Sequence, residues 1–232
     1  MSERESRRAV VLAGGKGQRL LPYTTVLPKP LLPVGDRPIL HRVLESLGAA
    51  SFQDITISVG HLAELIMLFF GDGRRFGLNL TYAIEDQPLG TIGPLAFIDN
   101  LGENFLVMNG DVLTDLPIGE LWDEHLRSGA ILTIATHARE VKIDFGVLER
   151  TDACRITAFR EKPTIPYEVS MGVYILNRRC LDFVPKGEYF GFDHLVLALL
   201  AAGENVHAFP YRGKWLDLGR PDDYGVAADL FS

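Results

Sequence analysis

The residues best suited to chemistry lie near the start of the chain, in Leu12-Ala13-Gly14-Gly15-Lys16-Gly17-Gln18-Arg19-Leu20 and Val26-Leu27-Pro28-Lys29-Pro30. Three glycines directly after an apolar run let backbone N–H groups turn toward an anion and let a ligand approach the main chain. The spacing is not that of a dinucleotide fingerprint, which needs a glycine where Leu20 stands, nor that of a Walker loop, which ends in Gly-Lys-Ser/Thr. By themselves the glycines read equally well as a tight turn. Arg19 and Lys29 tip the balance. A lysine between two prolines has its flanking backbone held extended and its position fixed. Fixed cations beside a glycine nest suit a triphosphate.

Other residues invite chemistry but also have plainer readings. Asp111 and Asp217 each follow an apolar run, where a strand end would aim them into a cleft. Asn109-Gly110-Asp111 is also a common hairpin signal, and Asp217 ahead of Gly219 suits a turn or a helix cap. Glu161-Lys162 on its own is a solvated charge pair, and Gly146 a bulge glycine.

These groups need a scaffold. Apolar runs at 9–13, 54–59, 78–84 and 104–108 predict buried strands, and one-faced patterns at 38–47, 61–70 and 92–101 predict helices between them. That alternation implies a mostly parallel sheet with helices on both faces. After Asp111 the pattern predicts a helix at 118–128 and strands at 131–136, 146–149, 155–159 and 169–176. A helix at 193–202 and short strands at 206–211 and 214–218 complete it. The expectation is a single α/β domain over 1–232, three-layer α/β/α and Rossmann-like, with a mixed, mostly parallel sheet. Ligands of such sheets bind beyond the carboxyl ends of the strands. Gly14, Glu85, Asn109-Gly110-Asp111 and Asp217-Leu218-Gly219 stand there.

Composition narrows the classes. The chain of 232 residues carries 23 Lys+Arg against 30 Asp+Glu, a formal charge of −7, which argues against a nucleic-acid groove but not against one small phosphorylated ligand. Two distant cysteines, Cys154 and Cys180, fit neither a disulfide framework nor a metal knuckle and suit a reducing compartment. The apolar stretches at 63–70 and 195–202 fall short of the ~18 residues of a membrane span, and Ala9–Ala13 is too short for a signal sequence. A cytoplasmic protein with no membrane partner is expected. Trp122, Phe69 and Phe70 read as core or interface residues, which leaves a homo-oligomer open. His61 and His194 read as cap or surface residues.

Leu-Ala-Gly-Gly-x-Gly-x-Arg-Leu-x-Pro-x-Thr and Pro-Lys-Pro-Leu-Leu-Pro-Val resemble the signature of the sugar-1-phosphate nucleotidylyltransferases. The resemblance continues in family order through Glu85…Pro88-Leu89-Gly90-Thr91, Asn109-Gly110-Asp111, Phe145-Gly146-Val147, Glu161-Lys162-Pro163 and Trp215-Leu216-Asp217-Leu218-Gly219-Arg220-Pro221. It implies a GT-A-like nucleotidyltransferase fold and attack of a sugar-1-phosphate oxygen on the α-phosphorus of a nucleoside triphosphate, releasing pyrophosphate. It further implies that Arg19 holds the departing pyrophosphate, Lys29 the reacting phosphate and Lys162 the sugar phosphate. Asp111 and Asp217 would together hold Mg²⁺. Leu12, Ala13, Gly14, Gly15, Gly17, Glu85, Pro88, Gly90, Thr91, Asn109 and Gly110 would line the nucleotide. Gly146, Glu161, Ser170 and Gly172 would meet the sugar.

Two positions bear on specificity. Glu85 stands where thymidylyl and uridylyl members tend to carry Gln. Guanine offers N1–H and N2–H₂ on one edge, which a carboxylate accepts together. GTP is therefore expected, and the run from Glu85 to Leu95 looks most like mannose-1-phosphate guanylyltransferases. A thymidylyl- or uridylyltransferase acting on glucose-1-phosphate is the alternative. Ser170 stands where the family commonly has Asn, a departure that points to an atypical sugar such as a heptose.

Two other classes fit less well. A GT-A glycosyltransferase would usually need Asp-x-Asp, but Val112-Leu113 follow Asp111. A silent, nucleotide-sugar-sensing subunit would have lost Lys29, Asp111 or Asp217. No hexapeptide repeat follows Asp217, so a catalytic domain without a C-terminal β-helix is expected.

Overall fold

The first apolar run forms the central strand of the sheet. A computed structural model of the chain describes residues 7–85, 87–219 and 221–231. Arg8–Ala13 (β1) pairs in parallel with Asp54–Val59 (β4) on one side and Asn104–Asn109 (β6) on the other. Asn79–Ile84 (β5) continues the parallel set beyond β4. Side chains alternate along β1: Ala9, Val11 and Ala13 enter one core while Val10 enters the other. A strand buried on both faces therefore reads as unbroken AVVLA.

The first core is covered by Ile39–Ala49 (α1), Ala63–Phe70 (α2), Ile118–Ser128 (α3) and Pro221–Phe231 (α5). In α1 the buried residues Ile39, Leu40, Val43, Leu44 and Leu47 form one stripe at helical spacing. The second core is closed by Phe192–Ala201 (α4) through Leu195 and Leu199, with Ile92, Leu95, Leu101 and Cys180. The result is the expected three-layer α/β/α arrangement. Among the described residues no helix is long and apolar enough to cross a membrane.

Thr164–Asn177 (β11) runs antiparallel between β6 and Leu132–Lys142 (β8), and Val206–Tyr211 (β12) is parallel to β8. The seven-stranded order is β12-β8-β11-β6-β1-β4-β5. Two small ribbons matter for the site. Val147–Arg150 (β9) pairs with Ile156–Arg160 (β10), and Val112–Thr114 (β7) pairs with Trp215–Asp217 (β13). A third, Pro33–Val34 (β2) with Arg37–Pro38 (β3), leads into α1.

The helix expected at 92–101 is not formed. Only a 3-10 turn at Gly93–Phe97 is present: Leu95 N–H bonds to Ile92 O at 3.0 Å and Ile98 N–H to Leu95 O at 3.2 Å, while the Ile92 and Gly93 N–H groups are tied to the Phe190 carbonyl, each at 3.0 Å. Burial of Ile92, Leu95 and Leu101 had produced the helical pattern without a helix. The helix α2 begins two residues later than expected, since Leu62 is left-handed at φ 54°. The strands β8 and β11 extend beyond the expected 131–136 and 169–176 as an exposed antiparallel arm, broken between Ser170 and Tyr174 where Gly172 sits at φ 76°.

Candidate functional site

Beyond the carboxyl ends of β1, β4, β5 and β6 lies a cleft of about 980 Å³. Leu12, Ala13, Gly14, Gly15, Gly17, Glu85, Pro88, Gly90, Thr91, Asn109 and Gly110 all line it, together with Arg19, Lys29 and Asp111. Every residue that the family resemblance assigned to the nucleotide is thus gathered on one surface.

The glycine loop has that shape for local reasons. Gly17 is left-handed (φ 60°, ψ 33°), its carbonyl accepts from Thr24 Oγ1 at 2.9 Å, and a Cβ there would lie 2.8 Å from the Thr24 methyl. The turn from Gln18 to Leu20 then brings Arg19 into the cleft. Gly219 makes room for that side chain, since a Cβ on it would sit 3.1 to 3.2 Å from the guanidinium.

Lys29 opens the 3-10 turn Lys29–Leu31 between its two prolines and is only 9% exposed. Its Nζ donates to Asp111 Oδ2. Asp111 follows β6, where the Gly110 N–H bonds back to Leu12 O at 2.9 Å and no Cβ would fit against that carbonyl. The ribbon then solves the pairing that sequence could not. Asp217 is in register with Val112, and the Leu218 N–H reaches Asp111 O at 3.0 Å, so both acids stand on adjoining strand ends. Burial and then the Asp111 charge push the Asp217 carboxyl above its usual range, while Lys29 and Arg19 pull it down. The two acids repel one another, and Lys29 and Arg19 offset part of that repulsion. Among the described residues no cluster of three or more His, Cys, Asp or Glu forms a ready metal cage. Two carboxylates nevertheless fit Mg²⁺, which binds through one or two of them and leaves its other positions to phosphate and water.

The sugar-side residues lie elsewhere. Gly146, Glu161, Lys162, Ser170 and Gly172 are not among the lining of this cleft. Gly146 and Glu161 flank the β9–β10 ribbon, with Glu161 Oε2 3.3 Å from the position of a Cβ on Gly146 and the Phe159 ring at 2.7 Å. Lys162 is exposed and left-handed at φ 41°, immediately before Pro163. A non-glycine residue held there costs about 1 kcal/mol or more, which the surrounding structure must sustain. Gly172 connects this side to the cleft: a Cβ on it would be 2.7 Å from the Asn109 amide. The Ser170 hydroxyl is 3.1 Å from the Tyr174 hydroxyl, to which it donates, and accepts from Gly172 N at 3.4 Å.

Several lining residues escaped the sequence reading. Gly60 and His61 stand in the cleft directly after β4, so His61, half-buried ahead of α2, faces the site as well. The strand-end rule, applied to β4, would have found both. Tyr189 also lines the cleft and had no sequence signal. It arrives because Phe190 N–H bonds to Leu89 O at 2.8 Å and its carbonyl takes Ile92 and Gly93, which ties two distant loops together. His194 does act as expected, accepting the Gly191 N–H on Nδ1 at 3.2 Å. Trp122 is a core residue packed edge-on against Phe52.

The nucleotidyl transferase family model matches residues 8–231. A mannose-1-phosphate guanyltransferase of Yarrowia lipolytica is 32% identical over 225 residues, covering 94% of this chain and 62% of the relative. A UTP–glucose-1-phosphate uridylyltransferase of Synechocystis is also 32% identical, over 95% of this chain and 62% of its own length. The chain thus spans less than two thirds of these curated relatives. Among solved structures, HddC from Yersinia pseudotuberculosis complexed with GMP-PN superposes with a TM-score of 0.73 at 25% identity, over 97% of this chain and all of that one. The chain belongs to the nucleotidyl transferase family.

Proposed function

We propose that this chain transfers a nucleoside monophosphate from a nucleoside triphosphate to a sugar-1-phosphate and releases pyrophosphate, with GTP favoured and a mannose- or heptose-like 1-phosphate as acceptor. One observation carries the reading. The glycine loop, the cations Arg19 and Lys29, and the acid Asp111 line a single cleft, and Asp217 stands behind them on the ribbon adjoining Asp111.

The chemistry asks for positioning and charge stabilisation. The loop N–H groups and Arg19 hold the β- and γ-phosphates. Lys29, anchored on Asp111, faces the α-phosphate. A phosphate oxygen of the sugar-1-phosphate bonds to the α-phosphorus as the bond to the β-phosphate oxygen breaks, and the electron pair leaves with pyrophosphate. Lys162, with Glu161 at the sugar hydroxyls and Gly146 and Gly172 giving room, holds the acceptor. Asp111 and Asp217 would hold Mg²⁺, which supplies charge neutralisation at phosphate oxygens when bound. Ser170, already engaged with Tyr174, offers a sugar less than an amide would, which supports an atypical acceptor.

Guanine is favoured because Glu85 presents a carboxylate at the cleft, able to accept both N1–H and N2–H₂. The Yarrowia lipolytica and Mycobacterium tuberculosis relatives are named mannose-1-phosphate guanyltransferase and guanylyltransferase, and HddC was solved with GMP-PN. The Synechocystis relative, at equal identity, supports UTP as the second reading. The two unpaired cysteines, one exposed and one buried, suit the cytoplasm. Pyrophosphate release measured for GTP, UTP and dTTP against mannose-, heptose- and glucose-1-phosphate tests the proposal. Turnover only with UTP or dTTP overturns the guanine assignment, and no turnover with any pair overturns the activity.

A further inference from the structure

Within the parallel sheet one buried polar side chain is unexplained by packing. Ser58 lies on β4, is 0% exposed, and interrupts an otherwise apolar stretch between Ile57 and Val59. A hydroxyl in such a place costs stability unless it is bonded. Its partner is Glu85: Ser58 Oγ donates to Glu85 Oε1 at 2.7 Å.

The geometry follows from the sheet. Ser58 pairs with Ala83 on β5, and Glu85 is two residues further on, so both side chains point to the same face. The Glu85 N–H extends the ladder to Val59 O at 2.9 Å, which fixes the backbone of that residue. On the other flank the same Oε1 lies 2.7 Å from where a Cβ on Gly14 would stand. Oε1 is therefore seated in a slot made by the Ser58 hydroxyl and the bare Gly14 backbone, while Glu85 lines the cleft.

We propose that Ser58 is the positioning residue that sets base selectivity, by holding the Glu85 carboxylate in one orientation at the nucleobase pocket. This rests on the nucleotide reading of the cleft given above. A serine hydroxyl has one proton, which is spent on Oε1. Glu85 keeps Oε2 and a further lone pair of Oε1 as acceptors, and acceptors alone. An edge carrying two adjacent donors, as in guanine, matches that array. Uracil and thymine set one N–H between two carbonyls, which a fixed carboxylate repels. A carboxylate free to rotate would discriminate less, since it could turn away from the carbonyls.

The test compares wild type with S58A, S58C and S58T, reading GTP and UTP binding by calorimetry with Mg²⁺ and no sugar phosphate. S58A is expected to lower the GTP-over-UTP affinity ratio about tenfold, in line with loss of one bond to a charged group. S58T, which keeps the hydroxyl, should retain the ratio. S58C fills a similar volume with a weak donor and should behave as S58A, which covers the case of a poorly folded S58A. In an E85Q background S58A should leave the ratio unchanged. An unaltered ratio in S58A or S58C, or equal loss for both nucleotides, overturns the proposal, as does wild type that binds GTP and UTP alike. Wild type that binds GTP selectively in a Ser58-dependent way but forms no nucleotide sugar would instead refute the activity and leave this inference standing.

Discussion

Replacing Lys29 by Met separates a catalytic cation from a structural one. The lysine is 9% exposed and its partner Asp111 has a side chain 27% exposed, so the pair is partly shielded from water. Met is unbranched and similar in length, so it fills the same channel beneath the glycine loop. Folding loses the attraction but also the cost of desolvating an ammonium, and the net destabilisation should be about 1–2 kcal/mol. For a chain of this size that lowers Tm by ~2–8 °C. Catalysis suffers more. In the proposed reaction Lys29 faces the α-phosphate, where charge builds as the sugar phosphate attacks, and loss of one such preorganised donor would cost about 10²–10³ in kcat, or roughly 3–4 kcal/mol. The assay is steady-state pyrophosphate release at saturating triphosphate and sugar phosphate, with thermal melting in parallel. The expected result is a kcat lower by two to three orders of magnitude with KM changed less, in a variant that still melts cooperatively. A kcat equal to wild type with only KM raised refutes the role, because it would mean Lys29 binds ground and transition states equally.

Asp111→Asn should abolish Mg²⁺-dependent turnover while leaving a cooperative melt, and retained activity would remove Asp111 from the metal site. Glu85→Gln should move preference from GTP toward UTP or dTTP in the same release assay; an unchanged preference would locate base reading elsewhere. A pH prediction concerns stability instead. His125 is buried between Thr133 Oγ1 (2.8 Å) and Asn104 Oδ1 (3.0 Å), and burial first, then His207, lowers its pKa from 6.5 to about 4. Its neutral form favours the fold, so this contribution is complete above pH 6.5 and is lost as pH falls toward 4. At ~1.4 kcal/mol per pH unit the gap amounts to about 3 kcal/mol. Urea unfolding at pH 7 and pH 5 should show a steeper loss for wild type than for His125→Gln, and equal losses would contradict it.

What the sequence made legible follows periodicity and strand ends. The strands at 54–59 and 206–211 and the helix at 118–128 stand where expected because a buried face repeats at the period of the element. The glycine loop, Glu85 and Asn109-Gly110-Asp111 were found because ligand groups collect after parallel strands. The failures share a different cause, contacts distant in sequence. Residues 92–101 carry helical spacing, yet the Ile92 and Gly93 N–H groups are tied to Phe190 and the segment closes only 3-10 bonds at Leu95 and Ile98. Tyr189 enters the cleft on the same staple. Asp111 and Asp217 become neighbours only through the β7–β13 ribbon: β13 falls within the strand expected at 214–218, but its partner β7 has three residues, too few for a periodic signal. The helix α5 lay outside the sequence expectations, which ended with the strand at 214–218.

The central claim is that this cleft joins a nucleoside monophosphate to a sugar-1-phosphate. The most direct measurement is a matrix of triphosphates against sugar-1-phosphates, followed by pyrophosphate release and by mass of the nucleotide sugar. The account predicts Mg²⁺-dependent product, largest with GTP and a mannose- or heptose-type 1-phosphate. Triphosphate binding with no nucleotide sugar from any pair would contradict it.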